Sequence, residues 1–327
     1  MYVGEHECAH HLVPFLANAL HAASPEATIT TTEIRSGRDW TDPIAELADE
    51  SADLTALVAP HHLARHRTPS SLDLPLRVHQ LVDTSTPWPQ VEQRITRRER
   101  TAIRRGVEAH GYTVEIDHDG TLLNHFYDRL YHPTMSSRHG TSARTATRTE
   151  AFRLFTDGGI LLTLHSAGTF VAGALCHRTP DGVLHGRLIG LLEGDDEWRR
   201  RGAMSVLYRE VLRWATENDA PHVDLSGGEP FLSKGTFQFK RKFGATTTIP
   251  RTWLGARTTT LTPKRDSPLM RRFLIDNPPI AHNDDNSLSA RYYFDHTTPP
   301  RLDLSDNCEG LTTRHLTDLD NFPWDRT

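Results

Sequence analysis

Asp224-Leu-Ser-Gly-Gly-Glu-Pro-Phe-Leu-Ser-Lys-Gly-Thr-Phe-Gln-Phe-Lys240-Arg-Lys-Phe-Gly244 is the stretch on which the fold reading turns. It reads as a buried strand ending in Asp224, a Gly-Gly turn, and a short segment closing on two aromatics and a glycine. Lys240, Arg241 and Lys242 lie between Phe239 and Phe243, beside Gly244, which permits a positive φ. Surface charge rarely sits between two large aromatics. The arrangement can hold an ammonium next to a desolvated anion.

Immediately upstream, residues 202–218 carry Met204, Leu207, Tyr208, Val211, Leu212 and Ala215 at helical spacing. Before them, residues 160–165, 170–178 and 183–191 read as an antiparallel meander with turns at Ala167-Gly168 and Pro180-Asp-Gly182. Further upstream, Thr86 as N-cap and Pro87 at the first helical position predict one helix over residues 87–109, ending at Gly111. Val91, Ile95 and Ala102 share its apolar face. Arg97, Arg100 and Arg104 fall on the opposite arc, flanked by Arg94, Arg98 and Arg105. Glu92 and Glu99 are the interleaved acids, too few to pair these arginines along the helix, which favours phosphate contact over a merely solvated face.

A strand over 112–116 and a helix over 122–131 follow, then a polar loop over 135–148 carrying Arg138, Arg144 and Arg148. In the first third, a helix over 11–20 requires Pro14 in its first turn. A strand over 27–34 ends at the Ser36-Gly-Arg-Asp turn, and strands follow at 54–58 and 76–82. Beyond Pro250 the pattern predicts a strand at 251–254, a helix near 269–274 and a strand at Arg291-Tyr-Tyr-Phe-Asp. From His296 it predicts a polar, partly disordered wrap. The order is that of an α+β protein.

The 327 residues, 37% hydrophobic and 24% charged, suit a globular chain of two modest domains or one large one. No apolar run reaches the length of a membrane span, and no basic and apolar leader opens the chain. Three widely spaced cysteines argue against a disulfide framework, so a cytoplasmic protein is expected. A net charge of −5 excludes a globally basic nucleic-acid binder but permits a local basic stripe. His6, Cys8, His10 and His11 cluster near the start, but no second ligand pair follows at zinc spacing, so no metal is expected.

Read in order, these pieces resemble the Fem-type aminoacyl-tRNA-dependent transferases within the GNAT acyltransferase superfamily. The similarity runs from Ile103-Arg-Arg-Gly-Val-Glu-Ala-His-Gly-Tyr-Thr-Val through the segment Phe126-Tyr-Asp-Arg-Leu-Tyr-His-Pro-Thr134 to Arg138. It continues through Val171-Ala-Gly-Ala-Leu-Cys176 and Trp198-Arg-Arg-Arg-Gly202, and ends on Val223-Asp-Leu-Ser-Gly-Gly and Phe239-Lys-Arg-Lys-Phe-Gly. It covers roughly residues 88–250. The resemblance implies a GNAT-like mixed sheet flanked by helices, with a partial second GNAT-like subdomain over 1–86, a transferase domain over 87–250 and a C-terminal extension over 251–327. It further implies amide-bond formation from aminoacyl-tRNA to an amine of a small-molecule or peptide acceptor, with no tightly bound cofactor. It implies that Lys240 acts near the transferred acyl group and that Arg138 helps to bind the acceptor's phosphate. Members that use CoA instead carry a Gln/Arg-x-x-Gly-x-Gly/Ala turn, whose amides cradle a pyrophosphate. Here the turn reads Arg199-Arg-Arg-Gly202-Ala-Met204, with methionine in the last small position. Acyl-CoA is therefore the alternative donor, and an inactive RNA- or protein-binding module is a third reading.

Chemically, a fixed cation at Lys240 suits the oxyanion that develops during aminolysis, where one such donor contributes about 3 kcal/mol. Asp224 or Glu229 could accept the amine's proton, or Asp224 could cap the Ser226-Gly-Gly turn. Arg97, Arg104, Arg105, Arg199, Arg200, Gly202 and Lys242 are the expected donor contacts. Arg138, Tyr208 and Phe239 are the expected acceptor contacts. The cations at 199–201 oppose the dipole of the helix they precede, which suggests an anionic ligand.

Overall fold

The computed structural model describes residues 1–34, 52–63, 68–139 and 145–324. The Ser36-Gly-Arg-Asp turn and Arg144 lie outside the described residues. The chain divides into two compact units, Met1–His79 with Gly227–Phe239 and Thr247–Thr327, and Gln80–Ser226 with Lys240–Thr246.

In the first unit, β1 (Tyr2–Glu5), β2 (Thr31–Ile34), β3 (Leu54–Pro60), β4 (Leu72–Pro75) and β12 (Arg257–Pro263) form a sheet in the order β2-β1-β3-β12-β4. Strand β1 runs parallel to β2 and β3, and β12 runs antiparallel to β3 and β4. Parallel neighbours need a crossover, which α1 (His6–Ala23) supplies between β1 and β2. Cys8, Ala9, Leu12, Leu16 and Leu20 form its buried stripe, against Leu74, Phe273 and Leu274. The helix starts five residues earlier than the apolar pattern suggests, so Pro14 sits inside it rather than in its first turn. An interior proline costs about 3 kcal/mol; here it lies on the solvent side, while the opposite stripe packs. Glu5 at the end of β1 is buried and takes two bonds from Arg257, Nε at 2.9 Å and Nη2 at 3.0 Å, tying β1 to β12.

A second sheet of this unit holds β13 (Ile280–His282), β14 (Leu288–Phe294) and β15 (Leu311–Asp318). Helix α10 (Pro268–Asp276) is capped by the Ser267 hydroxyl and packs near β14. The expected strand at 251–254 is replaced by a 3-10 turn, Trp253–Ala256, and the strand begins at Arg257. The expected irregular tail instead contains β15, paired in parallel with β14.

The second unit carries a seven-stranded sheet in the order β11-β5-β10-β9-β8-β7-β6. Its strands are β5 (Val78–Asp83), β6 (Thr113–Asp117), β7 (Gly159–Ser166), β8 (Thr169–Arg178), β9 (Leu184–Leu191), β10 (His222–Gly228) and β11 (Thr246–Thr248). The meander β7-β8-β9 is antiparallel, as its turns predict, and β6 pairs antiparallel with β7 across a long helical connection. The predicted helix over 87–109 is two helices, α2 (Trp88–Arg94) and α3 (Arg97–His110). Ile95 and Thr96 between them are extended, and the Thr96 amide donates to the Lys242 carbonyl at 2.8 Å instead of continuing the helix. Gly244, at φ +72°, closes on the same break: a Cβ there would lie 2.6 Å from Arg94 Cβ. Ile103 and Gly106 face inward on α3 and Ala102 faces out, the phase reset by the break. Gly111 ends α3 in the left-handed conformation, as expected.

Residues from Leu123 are helical to His139: α4 (Leu123–His125), a π turn over Phe126–Tyr131 and α5 (His132–His139). The polar loop predicted from Met135 is therefore helical over its first turn. Gly190 of β9 accepts this segment closely, since a Cβ there would lie 2.4 Å from the Leu130 carbonyl carbon. Helix α6 (Arg148–Thr156) opens with a Thr147–Glu150 capping box. Helices α7 (Asp196–Arg200) and α8 (Ala203–Glu217) follow β9, and all six predicted core residues of α8 are buried. Helix α9 (Gly235–Lys240) ends at the lysine singled out by the sequence.

Candidate active site

Strands β9 and β10 run parallel, pairing Leu184 with Val223 and His185 with Asp224. The ladder covers two residues of an eight-residue strand, so β9 beyond His185 lacks backbone partners on that side among the described residues. Ser226 bridges the start of the gap, its hydroxyl donating to the Gly186 carbonyl at 2.6 Å. Ser226 is in the left-handed region at φ +67°, a strained position for a residue with a side chain. The Asp224 carboxylate holds it there, accepting the Ser226 amide at 2.8 Å. Asp224 thus caps the turn, one of the two roles open to it from the sequence.

Its other oxygen faces His185, with Oδ2 3.2 Å from Nδ1. Asp224 is 3% exposed, whereas the His185 side chain keeps 27% of its surface. The carboxylate favours the tautomer with hydrogen on Nδ1, which leaves the Nε2 lone pair to accept a proton. Sequence reasoning missed His185. Its signal was a histidine at the strand start that registers with Asp224, visible only once the parallel pairing is known.

Lys240 is 7% exposed and donates to the Ser226 carbonyl at 2.9 Å. The strained residue therefore holds Lys240 through its carbonyl and is itself held by Asp224 through its amide. Asp224, His185, Ser226 and Lys240 form one connected polar group in the second unit. Tyr208 is buried on α8, with its ring 5.4 Å from that of Phe243. Phe243 is fully buried and Phe239 half-buried. Arg138 lies on α5.

Glu229 belongs to the first unit. Its Oε2 lies 3.0 Å from Lys234 Nζ and its Oε1 3.6 Å from Arg77 Nη1. Burial pushes its carboxyl up, but the two cations outweigh burial and hold it below the usual carboxylate range. A carboxylate held charged in this way is a weak proton acceptor, so its geometry is that of an ion-pair anchor.

The cations expected to contact the donor separate into two groups. Lys242 Nζ lies 3.3 Å from Glu99 Oε2, whose other oxygen takes the Ser205 hydroxyl of α8. Arg199 pairs with Asp196 and Arg201 with Glu197, so the Asp195-Asp-Glu run offsets two of the three charges before α8. Arg200 is exposed with no ion pair among the described residues. Gly202, at φ +83°, is the N-cap of α8, and the first-turn amides lack intrahelical acceptors. Met204 is buried rather than laid across them. On α3, Arg104 reaches Glu108 at 4.0 Å. Arg97, Arg98 and Arg105 are exposed without ion pairs among the described residues and line, with Thr101 and Ala102, a surface depression of about 530 Å³. The two interleaved acids are committed elsewhere, Glu92 to Arg209 at 2.7 Å and Glu99 to Lys242.

An antiparallel meander, a parallel strand parted from its last member, and a glycine-capped helix between the two make an α+β fold of the GNAT type. Residues 93–241 match the family described as Acetyltransferase (GNAT) domain. Among solved structures it is similar to FemX at 14% identity and TM-score 0.44, over 56% of this chain and 61% of that one. It thus spans less than two thirds of the FemX chain. It is also similar to L-PGS from Bacillus licheniformis, at 17% identity and TM-score 0.39 over 69% of this chain and 73% of that one. A third similarity is to a GCN5-related N-acetyltransferase from Sphaerobacter thermophilus, at 14% identity and TM-score 0.37 over 70% and 67% of the respective chains. Curated proteins give no sequence match. No described helix is long and apolar enough to cross a membrane.

Proposed function

We propose that this chain is an acyltransferase that moves an aminoacyl group from aminoacyl-tRNA to an amine of a small-molecule or peptide acceptor. The observation that carries the reading is the Arg97, Arg98 and Arg105 face of α3, three exposed guanidinium groups whose neighbouring carboxylates are bound elsewhere. A face with unspent positive charge suits a polyphosphate backbone. In the reaction, the acceptor nitrogen attacks the ester carbonyl; a C–N bond forms and the ester C–O bond breaks. His185 Nε2 takes the proton from the attacking amine, which passes to the leaving ribose oxygen. Lys240 stabilises the oxyanion on the carbonyl. Asp224 positions His185, and Arg138 contributes to acceptor binding.

Changing Arg97, Arg98 and Arg105 together to Glu should weaken binding of charged tRNA. It should also reduce the slope of log K against log salt by about 2 to 3. An unchanged slope would make the face merely solvated.

A second reading, acyl-CoA as donor, is favoured by the left-handed Gly202 cap and the absence of a side-chain cap on the first-turn amides of α8. With the Met204 side chain turned into the core, its departure from the small-residue pattern weighs less against CoA than the sequence suggests.

A further inference from the structure

His6-Glu-Cys-Ala-His10 opens α1, and the four-residue spacing places both imidazoles on one face. Their Nε2 atoms stand 2.9 Å apart, with the rings edge to face. The other nitrogen of His6, Nδ1, lies 2.6 Å from Glu33 Oε2. That carboxylate is delivered by the fold, since parallel pairing of β1 with β2 sets Glu33 opposite Gly4, two residues before His6. The side chains of His6 and Glu33 keep 61% and 44% of their surface, so the cluster is open to solvent.

We propose that His6 and His10 chelate a divalent transition-metal ion of the imidazole-binding class, with Glu33 as the orienting carboxylate. Two nitrogens about 2.0 Å from one metal stand about 2.8 Å apart at a right angle and about 3.3 Å apart at the tetrahedral angle. The observed spacing is that of a hydrogen bond between the two rings, whose shared hydrogen the metal would replace; it also matches the right angle, the geometry of Cu(II) and Ni(II), and reaches the tetrahedral value of Zn(II) by a small shift of exposed side chains. Glu33 accepts the Nδ1 hydrogen of His6, which fixes that ring in the tautomer whose Nε2 lone pair faces His10; carboxylates behind metal-bound histidines act in this way. The positive end of the α1 dipole opposes a cation here, and Glu33 and Glu7 of the first turn offset it. Cys8 is buried against Glu5 and takes no part. No three His, Cys, Asp or Glu side chains converge as a metal site among the described residues, so water completes the coordination. A hydrolytic zinc site on this His-Glu-x-x-His pattern needs a third protein ligand. The cluster is accordingly a binding site and not a second catalytic centre.

The test titrates the full chain, free of any added histidine tag, with Cu(II), Ni(II) and Zn(II) in turn by calorimetry. The proposal expects one site in the wild type that His6→Ala and His10→Ala each abolish, and that Glu33→Gln weakens about tenfold. Circular dichroism and thermal unfolding confirm the fold of each variant; these are exposed positions, and His10→Gln replaces any variant that fails. Ions that bind both histidine variants as they bind the wild type, or that do not bind at all, overturn the site. Unchanged affinity in Glu33→Gln removes the orienting role.

Discussion

Lys240 and His185 carry the two halves of the proposed chemistry, and they separate by experiment. Lys240→Met keeps the buried stem but removes the ammonium that meets the Ser226 carbonyl. The expected outcome is a fall in kcat of about 10² to 10³, with substrate binding retained, measured in single-turnover aminolysis of charged tRNA. His185→Gln should lower the same rate by about 10² to 10⁴, with partial rescue by added imidazole, because it removes a proton acceptor and leaves the oxyanion partner. Rescue would not follow if His185 were only a structural partner of Asp224. At this scale the sequence was half informative. Lys240 stood out because cations rarely sit between aromatics. His185 did not, because its meaning comes from Asp224 across a parallel pair whose two strands are separated by 30 or more residues in the chain, and local pattern carries no such pairing.

Among the elements, the break between α2 and α3 decides which arginines face outward. A single helix would have placed Ala102 in the core; the break at Ile95-Thr96 turns it out with Arg98 and Arg105. The cause lies far away in the sequence, where the Lys242 carbonyl takes the Thr96 amide and Gly244 admits Arg94. Propensity could not anticipate that competition, although the Gly111 end was readable from local chemistry; the start lies one residue later than read, with Pro87 rather than Thr86 at the N-cap. The turn leading into α2 adds a pH dependence. Ser85 bonds to Asp83, and Arg94 beside it, hold the Asp83 carboxyl down at about 2. A carboxyl depressed on folding adds stability that is complete above its unfolded value of about 4. That stability is lost as pH falls toward the folded value. Asp83→Asn should therefore flatten the acid limb of stability between about pH 4 and pH 2, followed by denaturant unfolding. The effect should be small, since Asp83 and Arg94 are each more than a third exposed. A limb identical to that of the wild type would place the acid sensitivity elsewhere.

For the whole molecule, the order of elements in the second unit was readable because a meander, an amphipathic helix and a Gly-Gly strand end each carry a strong local signature. The first unit was less so. Its sheet is completed by β12, which comes roughly 200 residues after β3 and pairs with it over its full length. Similarly, β15 joins β14 in parallel from a polar tail that reads as irregular. Both are long-range pairings, with little in the local pattern to announce them. The central claim concerns the donor, and it is tested most directly by parallel binding of the purified chain to charged tRNA and to acetyl-CoA over a salt series. The account predicts tight binding of charged tRNA that falls steeply with salt and that acetyl-CoA does not displace. Binding of acetyl-CoA alone, with no affinity for charged tRNA, would contradict it, making Gly202 and the first turn of α8 the donor site and the α3 arginines a solvated surface.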